Sequence, residues 1–402
     1  MFPRALPCRR NFFAYSSRTQ RRALKILALE SSADDTCAAI LSDDQVLSNV
    51  VIKQHSINAQ YGGIYPYAAI EAHQSNMPIA IRTAISEAGI GLAEIDGVAF
   101  TRGPGIGGCL GVCTNAGKAI AAALDKPIVG VHHMQAHALT ALFTSPTDAP
   151  IRFPFLTLLI SGGHTMIVLA TSHTSFRILA NSNDSSIGRV FDKVARNLEL
   201  GVGDAGLGAA LEAFCLAGPP PTHVSAITPK FSRCMPGRLG FSYGGLHSQV
   251  DKYLADQGGV QNLDIDHRRA VARAFQEAAA AQLTEKLGLA LDWCSHRGVV
   301  VRDIVASGGV ASNSYIRTKM REALDPSINL SFPPPSLCTD NAVMIGWASL
   351  HRFQAKDHDA YTINPRSKWS IEELPDIQER SGTAEESITV TELGQPRPPP
   401  SL

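Results

Sequence analysis

No two cysteines stand in a CxxC pair. The eight, Cys8, Cys37, Cys109, Cys113, Cys215, Cys234, Cys294 and Cys338, are scattered through 402 residues. That excludes a zinc ribbon, and it argues against a disulfide framework in a chain of this length. They read as free thiols, with Cys109 and Cys113 packing near a helix start. No apolar run is long enough to cross a bilayer. The most hydrophobic stretch, 153–170, is broken by Ser161, Gly162, Gly163 and His164, so no membrane partner is expected. The sequence also lacks the P-loop GxxxxGK[ST] and the metallopeptidase signature HExxH. Charge is balanced at 36 basic against 36 acidic residues. A global electrostatic grip on nucleic acid is therefore ruled out, and such a partner must be met by a local patch.

The neutral average conceals a polarity. Residues 1–25 carry Arg4, Arg9, Arg10, Arg18, Arg21, Arg22 and Lys25 without an acid, and Ser16, Ser17 and Thr19 lie among them. This is the composition of a mitochondrial transit peptide, expected over residues 1–24, with a basic tail as the plainer alternative. The segment 375–402 is rich in Ser, Thr and Glu, ends in a proline run and reads as disordered. Between these ends, 45% hydrophobic residues suffice for two cores.

The element pattern in the middle repeats. A strand over Lys25–Leu29, a polar turn and strands over Cys37–Leu41 and Gln45–Lys53 precede a helix over Ala68–Gly89. A strand over Ile95–Phe100, a glycine-rich loop, a helix over 109–124 and a strand over Pro127–Val131 follow. Strand, polar turn and strand recur over 155–170, followed by helices near 188–200, 206–217 and 267–297 and a strand at Asp303–Ala306. Two related α/β lobes, 25–150 and 151–335, with a cleft between them, are expected, and 336–374 would form a return segment. Ligands in such sheets bind at the carboxyl ends of strands.

Three features carry chemistry. His133-Met134-Gln135-Ala136-His137 sets two imidazoles at i and i+4 on one helical face. They could share an ion or simply pack. A third ligand must come from elsewhere, and Asp340 is the candidate, a helix N-cap being its alternative role. Two histidines and a carboxylate suit one divalent ion, iron or zinc, with positions left open. The glycine-rich turns 103–108, 161–165 and 307–313 together suggest a nucleotide, since glycine lets backbone N–H groups approach phosphate. Asp34 and Asp192 stand near such turns and could meet magnesium or a ribose, or cap helices. Finally, 213–250 holds no acid after Ala213 but includes Lys230, Arg233 and Arg238. It could face phosphates or be solvated loop.

Read together, Leu29–Thr36, Tyr61–Pro66, Thr101–Gly111, Val131–His137, Leu159–Thr165, Phe191–Arg196, Phe241–Leu246, Ser307–Asn313 and Cys338–Asn341 resemble the TsaD family, also called O-sialoglycoprotein endopeptidase-like. These enzymes place the threonylcarbamoyl group on tRNA. The resemblance implies a duplicated fold of the actin and heat-shock-ATPase kind. It implies His133, His137 and Asp340 as metal ligands and catalytic residues, and Leu159, Ile160, Ser161, Gly162, Gly163, Asp192, Gly208 and Asn313 around the nucleotide-bearing substrate. By it, L-threonylcarbamoyl passes from threonylcarbamoyl-AMP to N6 of the adenosine 3′ of the anticodon. A separate synthase supplies that intermediate, and the mitochondrial members act as homodimers in the matrix. Gln135 stands where the family usually has Glu, and Asn197–Gly208 departs from its usual Pro-Gly-Gly-Pro. A kinase, a nucleotide-gated scaffold or a metallopeptidase are the rival activities.

Overall fold

The computed structural model describes residues 23–374 apart from 44, 62, 147, 202–205 and 219–228. The expected transit peptide, all but its last two residues, and the expected disordered tail lie outside the described residues. The first sheet contains β1 (Lys25–Glu30), β2 (Asp35–Ser42), β3 (Gln45–Lys53), β4 (Gly97–Gly103) and β5 (Ile128–His132). Helices α1 (His55–Tyr61), α2 (Pro66–Glu87), α3 (Gly107–Ala123) and α4 (His133–Thr144) accompany it. The second sheet contains β6 (Phe155–Ile160), β7 (Thr165–Ala170), β8 (Phe176–Asn181), β9 (Asp303–Ser307) and β10 (Asn329–Ser331). With it go α5 (Ile187–Asn197), α6 (Leu207–Leu216), α7 (Gly244–Asp256), α8 (Ile265–Ser295) and α9 (Ser314–Ala323); α10 (Pro335–Cys338) and α11 (Ala342–Ala355) follow.

The duplication is visible in the topology. The sheets run β3-β2-β1-β4-β5 and β8-β7-β6-β9-β10. In each, three antiparallel strands lead to two parallel additions. The central strands are buried on both faces, which is why β1, β2, β6 and β7 read as nearly unbroken apolar runs rather than alternating ones.

Helices α2 and α3 cover the outer face of the first sheet, burying Met77, Ala80, Ala84 and Cys113 against Leu27, Leu29, Ile40 and Phe100. The inner face meets α4 and α11, in a core that also takes in Phe155, Leu159 and Met166 of the second sheet. Helix α11 thus carries the chain back to the first sheet. Its approach is close: a Cβ on Gly346 would run into Leu41 and Ala28. Burial of Val343, Ile345, Leu350 and Phe353 on this helix stabilises by about 1.5–3 kcal/mol each. The seven described cysteines are free, and Cys109 and Cys113 are buried on α3. Among the described residues no helix is long and apolar enough to cross a membrane.

Candidate metal centre and nucleotide cleft

Helix α4 begins where β5 ends, and its first turn is tightly held. His132 is the N-cap: its Nδ1 accepts from the N–H groups of Met134 and Gln135 at 3.2 and 3.3 Å. Its Nε2–H donates to the Trp369 carbonyl at 3.2 Å. Burial drives the His132 pKa down to about 3, so the ring stays neutral, as an accepting cap must. With this turn fixed, His133 and His137 point the same way, ring centroids 4.7 Å apart.

Asp340 arrives from the start of α11. It is not the cap of that helix; Asn341 is, accepting the Met344 N–H at 2.9 Å. Asp340 is thereby free to reach across. Its Oδ1 lies 3.1 Å from His137 Nε2 and 3.5 Å from His133 Nε2. One donor atom from each of the three side chains lies within 4.8 Å of the others. The pair does not face open solvent: His133 and His137 are 5% and 4% exposed. The Asp340 side chain keeps 23% of its surface accessible, so the opening lies on its side.

A second carboxylate stands behind His133. Glu30, fully buried at the end of β1, accepts from Thr101 Oγ1. It also accepts the Ser32 N–H at 2.5 Å and His133 Nδ1 at 3.2 Å. Donation from Nδ1–H leaves Nε2 with its lone pair toward Asp340 and His137, the arrangement found behind metal-bound imidazoles. Without an ion the cluster is an ionic network. Burial would push His133 down and the two acids up, but the attraction between them prevails. His133 is raised to about 9, with Glu30 and Asp340 held below the ordinary carboxylate range. His164, in the 161–165 turn, is driven down to about 4 by burial and then by His133 and His137, so that turn faces the centre. Burial pushes Asp35 up to about 7, helped by Asp34 and Asp340.

Gln135 points elsewhere. Its Nε2 donates to the His173 carbonyl at 2.7 Å. At i+2 from His133 it lies off the shared face of the pair, so this position supplies no base beside an ion.

The residues expected around a nucleotide fall into two groups. Leu159 and Ile160 are buried in β6, so only their backbone is available to a ligand. Beyond them Ser161 Oγ accepts from Gly163 N and His164 N at 3.2 and 3.0 Å, leaving Gly162 and Gly163 exposed. Gly308, at φ +104°, packs under this turn, and a Cβ there would collide with the Ile160 carbonyl. Asp192, within α5, accepts the N–H of Gly208 at the start of α6, so these two are brought together. Asn313 is 5% exposed and occupied as the N-cap of α9, its Oδ1 taking the Ile316 N–H at 3.0 Å. Helix α5 packs on α6 and on the short turn 309–312, which in turn meets β6 and β9. Neither Asp34 nor Asp192 caps a helix: Asp34 accepts from Asn58 Nδ2 at 2.7 Å.

Residues 45–347 match the profile of the tRNA N6-adenosine threonylcarbamoyltransferase, TsaD. The chain belongs to the TsaD family. It is 34% identical over 369 residues to a probable mitochondrial tRNA N6-adenosine threonylcarbamoyltransferase of Arabidopsis thaliana, covering 87% of this chain and 75% of the relative. It is 36% identical to the enzyme of that name from Cereibacter sphaeroides, over 87% and 95% of the two chains. Similarity to the one from Symbiobacterium thermophilum is 38%, over 82% and 92%. The fold is the duplicated actin-like one. The HypF structure from T. kodakarensis superposes with a TM-score of 0.55 at 14% identity, over 83% of this chain and 48% of that one. As a TsaD-family member the protein is an acyltransferase acting in tRNA modification.

Sequence reasoning on the pair missed Glu30 as the group behind His133, and it missed His164 and Asp35 altogether. Glu30 lies 103 residues from His133, and only the parallel packing of β1 beside β4 and β5 brings them together.

Proposed function

We propose that the protein transfers L-threonylcarbamoyl from threonylcarbamoyl-AMP to N6 of the adenosine immediately 3′ of the anticodon, in mitochondrial tRNAs reading codons that begin with A. The convergence of His133, His137 and Asp340 on one point in the cleft carries this reading. The donor set of two imidazoles and a carboxylate, with Glu30 behind His133, fits a divalent ion, iron or zinc. Such an ion would supply a Lewis acid and template for the threonylcarbamoyl end.

The chain's own work is alignment. An exocyclic adenine amine is a weak nucleophile, but the acyl-phosphate anhydride is already activated, so holding the two in register supplies most of the acceleration. The exposed Gly162–Gly163 turn lets the AMP phosphate approach the backbone closely, with the Gly163 N–H already held by Ser161 Oγ. Asp192, placed against Gly208, borders the ribose side, where magnesium could also be met. The amine nitrogen bonds to the carbamoyl carbon, the bond from that carbon to the phosphate oxygen breaks, AMP departs with its electron pair, and the amine gives up one proton to water. No covalent enzyme intermediate is needed. Leu159, Ile160 and Asn313 support this cleft from the core, through backbone and helix capping.

The basic segment before Lys25 and the mitochondrial relative support a matrix location, with threonylcarbamoyl-AMP made by a separate synthase and the protein acting as a homodimer. The test is direct. Purified protein, unmodified tRNA and threonylcarbamoyl-AMP should yield the modified nucleoside by mass spectrometry. Steady ATP consumption without modified nucleoside would instead favour a kinase.

A further inference from the structure

Three tyrosines stand unusually bare around the start of α2. Tyr61, at the end of α1, is 55% exposed; Tyr65, the residue before α2, is 44%; and Tyr67, in the first turn of α2, is 72%. They form a series. Tyr61 and Tyr65 are stacked with centroids 4.7 Å apart and planes 26° apart, and Tyr67 follows at 5.9 Å. Ile64, 41% exposed, lies between them in sequence. Aromatic side chains normally bury their large apolar surface, so a run of exposed rings calls for a partner with flat faces.

The platform is tied to the turn that follows β1. Pro66 opens α2 and fixes the backbone between Tyr65 and Tyr67. Helix α1 is tied to the acidic turn after β1 by Asn58 and Asp34. Helix α2 is tied to the same turn by His73, whose Nε2 donates to the Ala33 carbonyl at 3.1 Å while Nδ1 accepts from Thr36 Oγ1 at 2.7 Å. From Gln45 to Ile70 there is no acidic residue, and exposed Lys53, opposite Asp35 in the sheet register, stands just before α1. The N-terminus of the 22-residue α2 adds its positive dipole end.

We infer that Tyr61, Tyr65 and Tyr67 form a stacking platform for unpaired bases of the RNA substrate next to the target adenosine, with Lys53 meeting its phosphates. This rests on tRNA being the substrate. A neutral protein has little non-specific electrostatic affinity for RNA, and stacking supplies affinity without it.

The test uses the full-length protein with Tyr65→Ala, Tyr67→Ala and the corresponding Phe variants. The rings are exposed, so thermal melting should be unchanged. The KM for tRNA should rise about tenfold per ring removed, at a kcat within about twofold of wild type, and Phe should restore it. An anticodon stem-loop carrying 2-aminopurine beside the target adenosine should show quenching on binding that the Ala variants lose. An unchanged KM, or Phe behaving as poorly as Ala, overturns the proposal. A change of sedimentation in the Ala variants would assign the rings to a protein–protein contact and also overturn it. Should the wild type fail to modify tRNA, the quenching assay decides alone: loss in the Ala variants upholds the platform, and absence of quenching in the wild type refutes it.

Discussion

Replacing Glu30 by Gln tests whether the centre is organised for a metal. The side chain has no solvent-exposed surface and receives three donors: Thr101 Oγ1, Ser32 N and His133 Nδ1. Gln keeps the volume but has one acceptor where there were two. With its oxygen toward Ser32, its NH2 faces His133, which must then accept through Nδ1 and carry its proton on Nε2. In that tautomer Nε2, the nitrogen that faces Asp340, has no lone pair for an ion. With the amide reversed, NH2 meets the Ser32 N–H, and two donors oppose each other in a buried site, at about 1–3 kcal/mol. Partners behind a ligand are typically worth 10–100-fold in metal affinity. At about 1.4 kcal/mol per tenfold, that is about 1.4–2.8 kcal/mol, the size of one buried mismatch. Chelator competition with zinc at neutral pH measures the shift, and thermal melting of the metal-free variant shows whether the fold is intact. An affinity within about twofold of wild type, in a folded variant, would mean that Glu30 does not orient His133.

Three further outcomes follow from the site and the surface. His137→Ala should lose the ion by elemental analysis and reduce transfer at least about 100-fold, while costing only about 1–3 kcal/mol of stability; full occupancy would remove His137 from the ligand set. Neutralising Lys230, Arg233 and Arg238, all exposed on a segment that Lys286 and Glu285 tie to α8, should weaken all substrate tRNAs alike. It should also flatten the salt dependence of binding by about one unit for each phosphate no longer neutralised; parallel slopes would exclude phosphate contact. Residues 1–24 fused to a reporter should direct it to mitochondria, as imaging of the fusion would show, and a cytosolic fusion would count against the matrix assignment.

The duplication was legible because both sheets begin with the same local device, a buried strand and a polar turn followed by an antiparallel strand. Such hairpins are written in contiguous residues. Elements missed from the sequence lack that property. Strand β8 follows the turn 171–175 and mixes buried with open positions. Helix α9, Ser314–Ala323, follows a glycine turn and is mostly polar, burying only Ile316 and Met320. Helix α1 is seven residues long, too short for a 3.6-residue period to show. The long helix begins at Ile265, where Asp264 caps it, rather than at 267.

The same division runs through the site. A pair at i, i+4 is a local fact, so His133 and His137 could be picked out as partners. Their neighbour His132 has the same side chain one position earlier, yet it serves as a cap held by a carbonyl 237 residues away. What separates the two roles is the polarity of what each ring meets. His132 faces backbone groups and an indole, where burial keeps it neutral, while His133 stands between Glu30 and Asp340, which hold a proton on it. Residue type and spacing propose ligands, but the choice among adjacent histidines is made by distant groups. In this chain those groups come from the first strand and from the segments on either side of the last long helix, the pieces that close the fold.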